Sequence, residues 1–477
     1  MNMTRACLAV FLLFFSTPAS ADTEESAKPN VIVIVADDLG WAAVGFHSDW
    51  IETPGIDRIA NEGVQLDRFY TAPMCSPTRA GLMTGRYPIR FGMARSVITP
   101  HRDYGLPTQE RTLPEALGEA GYEIRGAFGK WHLGHHRPEW HPLQQGFTHF
   151  EGHYNGNINY FELSRDGQRD WHEGYVPSDK QGYATEVIGD AAADFVRKAS
   201  AEDAPYFCYV PFNAPHSPFQ ALESDIADVA GEGEPTRRDI YVAMIRCMDR
   251  QISKILTAID ESGEADNTQV WFFSDNGGTG GFDGNNAPLR GAKGSTFEGG
   301  IRVAACVRWP DQFPAGTIFD AQCGYIDVLP TVLSTAGVNP LSGQIEGKEL
   351  DGVDLSSLLR DEQVELPERD WLSYQGQSGP QRERTSIHSG DWKLIIEGAD
   401  IRNGIGEDHK VHLFAIHSDP NETDDVSSRF PEVVEELSAK LIEYRSLQPE
   451  DGVQPASVGS EGFVPWEDWK MRGVDNR

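Results

Sequence analysis

Cysteine is scarce in this 477-residue chain: Cys7 near the start, then Cys75, Cys208, Cys247, Cys306 and Cys323. Thiols this sparse do not make a disulfide framework; the last four could pair or stay buried as small hydrophobes. Basic residues are also few, 41 Lys and Arg against 73 Asp and Glu, a net charge of -32. Such a balance argues against a nucleic-acid partner and confines any anion site to a local basic pocket. No run after the N-terminus is long and apolar enough to cross a bilayer, so no stable membrane insertion is expected. There is no repeat of 20 to 50 residues, no low-complexity tract, and no HExxH, GxSxG or CxxC element. The glycines at 277, 278, 280, 281 and 284 fit neither a dinucleotide fingerprint nor a phosphate loop.

The N-terminus carries Arg5, the apolar run CLAVFLLFF (7–15) and ASA (19–21) before Asp22. That pattern predicts a cleaved signal peptide over 1–21 and export to the periplasm or medium. Length alone suits two or three domains, or one large α/β domain with an appendage; the pattern along the chain predicts a catalytic domain over 22–370 and a C-terminal subdomain over 371–477. Four apolar runs end in polar residues. NVIVIVADDLGW (30–41) breaks at Asp37 and Asp38, and QVWFFSDNGG (269–278) at Asp275 and Asn276. YEIRGAFGKWHLG (122–134) ends at Lys130 and His132, and PYFCYVPFNAPHSP (205–218) at His216. Helical patterns at 113–121 and 241–263 lie between them. Strands alternating with helices predict a mostly parallel sheet covered on both faces, with its site beyond the strands' carboxyl ends. TSIHSGDWKLIIE (385–397) and KVHLFAI (410–416) read as antiparallel strands, and 430–447 as a helix packed on them.

Asp37, Asp38, Asp275 and Asn276 offer only oxygen ligands. Three converging carboxylates repel one another unless a divalent cation joins them, and oxygen donors favour Ca²⁺ or Mg²⁺ over zinc. Cys75 precedes a predicted helix with Pro77 in its first turn and Arg79 one turn on. A helix N-terminus lowers a thiol's pKa and attracts anions, which predicts a reactive thiol at an anion-binding turn.

CSPTR (75–79) matches the Cys-x-Pro-x-Arg motif of the type I sulfatases, in which the cysteine is oxidised to formylglycine. The resemblance extends through CSPTRAGLMTGRYPIRFGM (75–93), GKWHLG (129–134), PFNAPHSP (211–218), FFSDNGG (272–278), LRGAKGSTFEGGIRVA (289–304) and LFAIHSDPNETDD (413–425). It implies an alkaline-phosphatase-like α/β fold with a smaller C-terminal α+β subdomain. It also implies a divalent cation, Ca²⁺ ahead of Mg²⁺, on Asp37, Asp38, Cys75, Asp275 and Asn276. Cys75, as hydrated formylglycine, would be the nucleophile, with Arg79 favouring its oxyanion. Lys130 and Lys293 would clamp the sulfate, His216 and Lys293 would protonate the leaving alcohol, and His132 would regenerate the aldehyde. His135 and His136 are candidates for the pocket mouth. The implied partners are a sulfated carbohydrate or aryl sulfate and a formylglycine-generating or sulfatase-maturing enzyme. Other readings are a general arylsulfatase, a phosphonate or phosphate ester hydrolase, and, with Cys75 unmodified, a sulfated-glycan-binding protein.

Overall fold

Val31, Val33 and Val35 of the strand Asn30–Ala36 enter one buried apolar cluster, while Ile32, Ile34 and Ala36 enter another on the opposite face. A strand buried on both faces belongs at the centre of a covered sheet. The computed structural model describes residues 28–281, 285–361, 364 and 366–473, and the expected signal peptide falls outside them. Asn30–Ala36 is the fifth strand of a ten-stranded sheet. The order is 317–319, 64–66, 305–308, 268–274, 30–36, 206–211, 124–130, 149–153, 172–173, 176–177. The five strands from 268–274 to 149–153 run parallel, and antiparallel pairs flank them. Helices Ala184–Ala199 and Arg237–Ser262 pack on one face; Cys75–Thr84, Leu113–Glu119 and Val328–Thr335 lie on the other. No helix among the described residues is long and apolar enough to cross a membrane.

Parallel register puts the carboxyl ends of four strands side by side. Asp275 N–H donates to Ala36 O at 2.9 Å and Asp37 N–H to Ala214 O at 3.1 Å, so the loops stay paired just past the strands. The four polar endings read from the sequence therefore converge.

The second sheet has four antiparallel strands: Trp371–Gln375, Glu383–Ser389, Trp392–Gly398 and Lys410–Ala415. The single strand expected over 385–397 is thus two. Ser389 pairs with Trp392 across Gly390–Asp391, and Gly390 sits at φ 54°, as a two-residue hairpin turn requires. Leu437 and Leu441 of helix Pro431–Ser446 pack on this sheet. Trp371, Tyr374 and Tyr444 join the main apolar cluster, so the two sheets share a core.

Candidate active site

All ten residues of helix Cys75–Thr84 are buried. At Gly81 a Cβ would lie 2.1 Å from the Tyr325 ring, so only glycine allows this close packing. Thr78 Oγ1 accepts from Ala72 N–H at 3.0 Å. Ser76 Oγ donates to His132 O at 2.9 Å and accepts from Ile98 N–H at 3.0 Å. These bonds hold the first turn of the helix against the Lys130–His132 loop.

Cys75 Sγ lies 3.5 Å from Asp37 Oδ1. Ligand atoms of Asp37, Asp38, Cys75 and His216 all fall within 4.8 Å of one another. Lys130 Nζ pairs with Asp37 Oδ2, and Lys293 Nζ lies 2.7 Å from Asp38 Oδ1. Asn276 Nδ2 donates to Asp38 Oδ1 at 2.8 Å, and Asp275 Oδ1 accepts from Asp38 N–H at 3.3 Å. Arg79 is fully buried. Its Nε and Nη2 grip Asp275 Oδ2 at 3.1 and 2.8 Å, and its Nη1 donates to Lys130 O at 3.1 Å. The guanidinium thus orients the Asp275 carboxylate and the Lys130 strand end.

Electrostatics corrects one expectation. Burial, reinforced by Asp275, pushes the Cys75 thiol up to about 12, outweighing Lys130. The helix terminus does not yield a thiolate, because desolvation of the charge dominates. Among the described residues all five cysteines are free and buried, so burial does not single out Cys75; its position beside Asp37 does. Burial alone would raise Asp38, but Lys293 and His216 hold it down at about 2. Burial and then Asp37 raise Asp275 to about 6 despite Arg79. Burial disfavours the charged ammonium of Lys293, yet Asp38 and the other acids keep it raised.

Both histidines are neutral imidazoles here. Burial, then Lys293, lowers His216 to about 3, and burial, then Lys130, lowers His132 well below its ordinary value. His132 Nε2 donates to Ile98 O at 3.1 Å, so buried Nδ1, with no partner, carries the lone pair. His216 Nδ1 donates to Ser217 O at 2.6 Å, leaving Nε2 to face Asp38 Oδ2 at 3.6 Å.

His135 and His136 are not at a pocket mouth. Both are buried, both place Nε2 on Pro100 O (2.9 and 3.1 Å), and both pack against Trp466 of the C-terminal tail. Aromatic packing claims them as anchors for that tail. Asn213 went unremarked in the sequence although it lies three residues before His216. It is buried, with neither side-chain atom hydrogen-bonded. Its signal was a polar residue inside an apolar strand ending.

A doubly covered parallel sheet with carboxylates and ammonium groups at its carboxyl edge defines a hydrolase site for a tetrahedral anion. The family model described as Sulfatase matches residues 29–338. N-acetylgalactosamine-6-sulfatase of Mus musculus is 32% identical over 494 residues, covering 92% of this chain and 92% of that protein. Arylsulfatase J of Mus musculus is 31% identical over 500 residues, covering 94% and 81%. A solved structure described as Ps i-CgsB in complex with k-i-k-neocarrahexaose superposes with a TM-score of 0.81 at 30% identity, covering 91% of this chain and 96% of that one. The chain belongs to the sulfatase family and is a sulfuric ester hydrolase.

Proposed function

We propose that this chain is an exported sulfatase that removes sulfate esters from a sulfated glycan, with Cys75 matured to formylglycine and a bound Ca²⁺. The observation that carries this reading is Cys75 at the start of a buried helix, 3.5 Å from Asp37, with Lys130, Lys293, His132 and His216 around it. The glycan preference is supported by relatives named N-acetylgalactosamine-6-sulfatase and by the neocarrahexaose in the similar structure.

The residues suit a hard cation. Asp38 Oδ2 and Asn276 Oδ1 are buried without a hydrogen-bond partner, and the donor set is rich in oxygen. Asp37, Asp38, Asp275, Asn276 and residue 75 would hold the ion, which supplies charge stabilisation for the sulfate oxygens. The aldehyde hydrate supplies two geminal hydroxyls, one to attack sulfur and one to expel sulfate. Lys130 and Lys293 bind and orient the sulfate. His132 Nδ1 takes a proton from residue 75, and Lys293, beside His216, delivers one to the leaving oxygen. Residues 75–84 are fully buried, so a maturing enzyme must reach them before folding.

The test is sulfate release from a panel of sulfated mono- and oligosaccharides, alongside 4-nitrophenyl sulfate, phosphate and phosphonate esters. Turnover of saccharide sulfates supports the reading. Preference for the phosphate or phosphonate esters, or for aryl sulfate alone, overturns it. Export is tested by fractionating the native host and sequencing the mature N-terminus, with Asp22 expected first.

A further inference from the structure

Beside the two histidines lies an open cleft of about 440 Å³, lined by Asn157, Asn159, Glu162, Arg165, Asp166 and Ser217 among others. Its walls grow directly out of the catalytic loops. Ser217 follows His216 in the chain. Gly156, just before Asn157, packs so closely on His132 that a Cβ would lie 2.6 Å from the imidazole. Asn157 Nδ2 donates to Ser217 O at 3.3 Å and so ties the two walls together.

The polar groups are held in place by bonds that leave one face of each amide unused. Asn159 Oδ1 accepts from Phe161 and Glu162 N–H, both at 3.0 Å. That leaves Asn159 Nδ2 as a donor and Asn157 Oδ1 as an acceptor with no partner among the described residues, on side chains that line the cleft. Ser164 Oγ donates to Glu162 Oε2 at 2.9 Å. Trp469 Nε1 donates to Arg165 O at 2.9 Å, so the C-terminal tail braces this wall. Preset amide donors and acceptors suit a hydroxyl-rich ring.

Charge selects among such rings. Arg165, with Nε 3.2 Å from Asp166 Oδ2, is the one cation among the lining residues, and Glu162 adds a second carboxylate. Two carboxylates against one guanidinium leave the lining net negative, which disfavours a second sulfate or a uronate. We infer that this cleft is a subsite for the uncharged sugar unit adjoining the sulfated one. The inference rests on the glycan reading above.

The experiment compares free sulfated galactose and N-acetylgalactosamine with the same sugars extended by one galactose or by one glucuronate. Each is assayed on wild type, Asn157→Ala and Asn159→Asp. Asn159→Asp keeps the acceptor that caps Phe161 and Glu162 and replaces the donor with a charged acceptor oxygen, so it keeps the test valid if Asn157→Ala misfolds. The wild-type ratio of kcat/KM for galactose-extended over free sugar should be about tenfold or more, consistent with one or two well-placed hydrogen bonds, and should fall towards one in both variants. A wild-type ratio near one, a ratio preserved in the variants, or a preference for the glucuronate extension would overturn the subsite. No turnover of any saccharide while 4-nitrophenyl sulfate is cleaved would instead sink the glycan reading, and the subsite with it.

Discussion

Lys393, on the antiparallel sheet, lies 2.8 Å from Glu298, which is five residues after Lys293 on the main domain, and both are fully buried. Glu298 also binds His388 Nε2 at 2.8 Å and Tyr70 Oη at 2.9 Å, and Lys393 lies 2.7 Å from Glu422. Arg290 Nη1 donates to Glu422 O at 2.9 Å. The segment carrying Lys293 is therefore held from the second sheet by buried charge. Breaking such a pair by removing one partner costs about 3–5 kcal/mol. Lys393→Met should lower the melting temperature markedly and reduce kcat together. An unchanged melt would show that the network contributes nothing to stability.

The same network predicts a pH dependence. Burial, with Glu298 alongside and Lys393 opposing, raises Glu422 from its ordinary 4.5 to about 7. A carboxyl that keeps its proton more tightly in the folded state adds stability that is full below pH 4.5 and is lost as pH rises towards 7. Glu298 is shifted the opposite way: burial opposes its charge, but Lys393 and His388 hold it well below its ordinary value. Its contribution is therefore lost only at lower pH. Glu422→Gln should flatten the fall in melting temperature between about pH 5 and pH 7. Parallel wild-type and variant curves through that window would refute the assignment.

Residue 75 tests the nucleophile. Cys75→Ala should abolish sulfate release at a stability cost of about 1 kcal/mol. Cys75→Ser should stop after one turnover, because a lone hydroxyl forms a sulfate ester with no second hydroxyl to expel it. Peptide mass spectrometry should find sulfate on that serine. Sustained turnover by either variant contradicts the hydrate chemistry.

Chelation tests the cation. Asp37, Asp38 and Asp275 share one buried volume, and a bound divalent ion offsets their repulsion. Excess chelator should lower activity and melting temperature together, and Ca²⁺ should restore both. Occupancy at a hundred times Kd corresponds to about 2.7 kcal/mol of stabilisation. A melt indifferent to chelator would separate the ion from the fold.

Leaving-group dependence tests Lys293, whose Nζ is 2.7 Å from Asp38 Oδ1. A sugar alkoxide needs a proton to leave, whereas 4-nitrophenolate does not. Lys293→Ala should cost about 10²–10⁴-fold on a saccharide sulfate and much less on 4-nitrophenyl sulfate. Equal losses on both would assign the lysine to sulfate binding alone.

Much of the frame was legible in the residues alone. Asn30–Ala36 and Thr268–Ser274 announce themselves because a strand buried on both faces carries a continuous apolar run, here 31–36 and 270–273, and each run stops just before acids that cannot continue it. Local order carried those elements, so local sequence revealed them. The split of 385–397 was missed because both halves share one apolar alternation, and only the Gly390–Asp391 turn divides them. His135 and His136 were placed wrongly because a polar loop residue reads the same whether it meets substrate or a tryptophan from 330 residues away.

The sequence by itself determined the strand endings, the Cys75 helix and the set of charges available to the site, since these follow from periodicity and side-chain chemistry. Only the tertiary structure decided which charges meet. It set Arg79 on Asp275 and Lys293 on Asp38, raised the Cys75 thiol by burial, and formed the cleft that Asn157 and Ser217 line together. Desolvation and pairing depend on neighbours distant in the chain, and no local pattern records them.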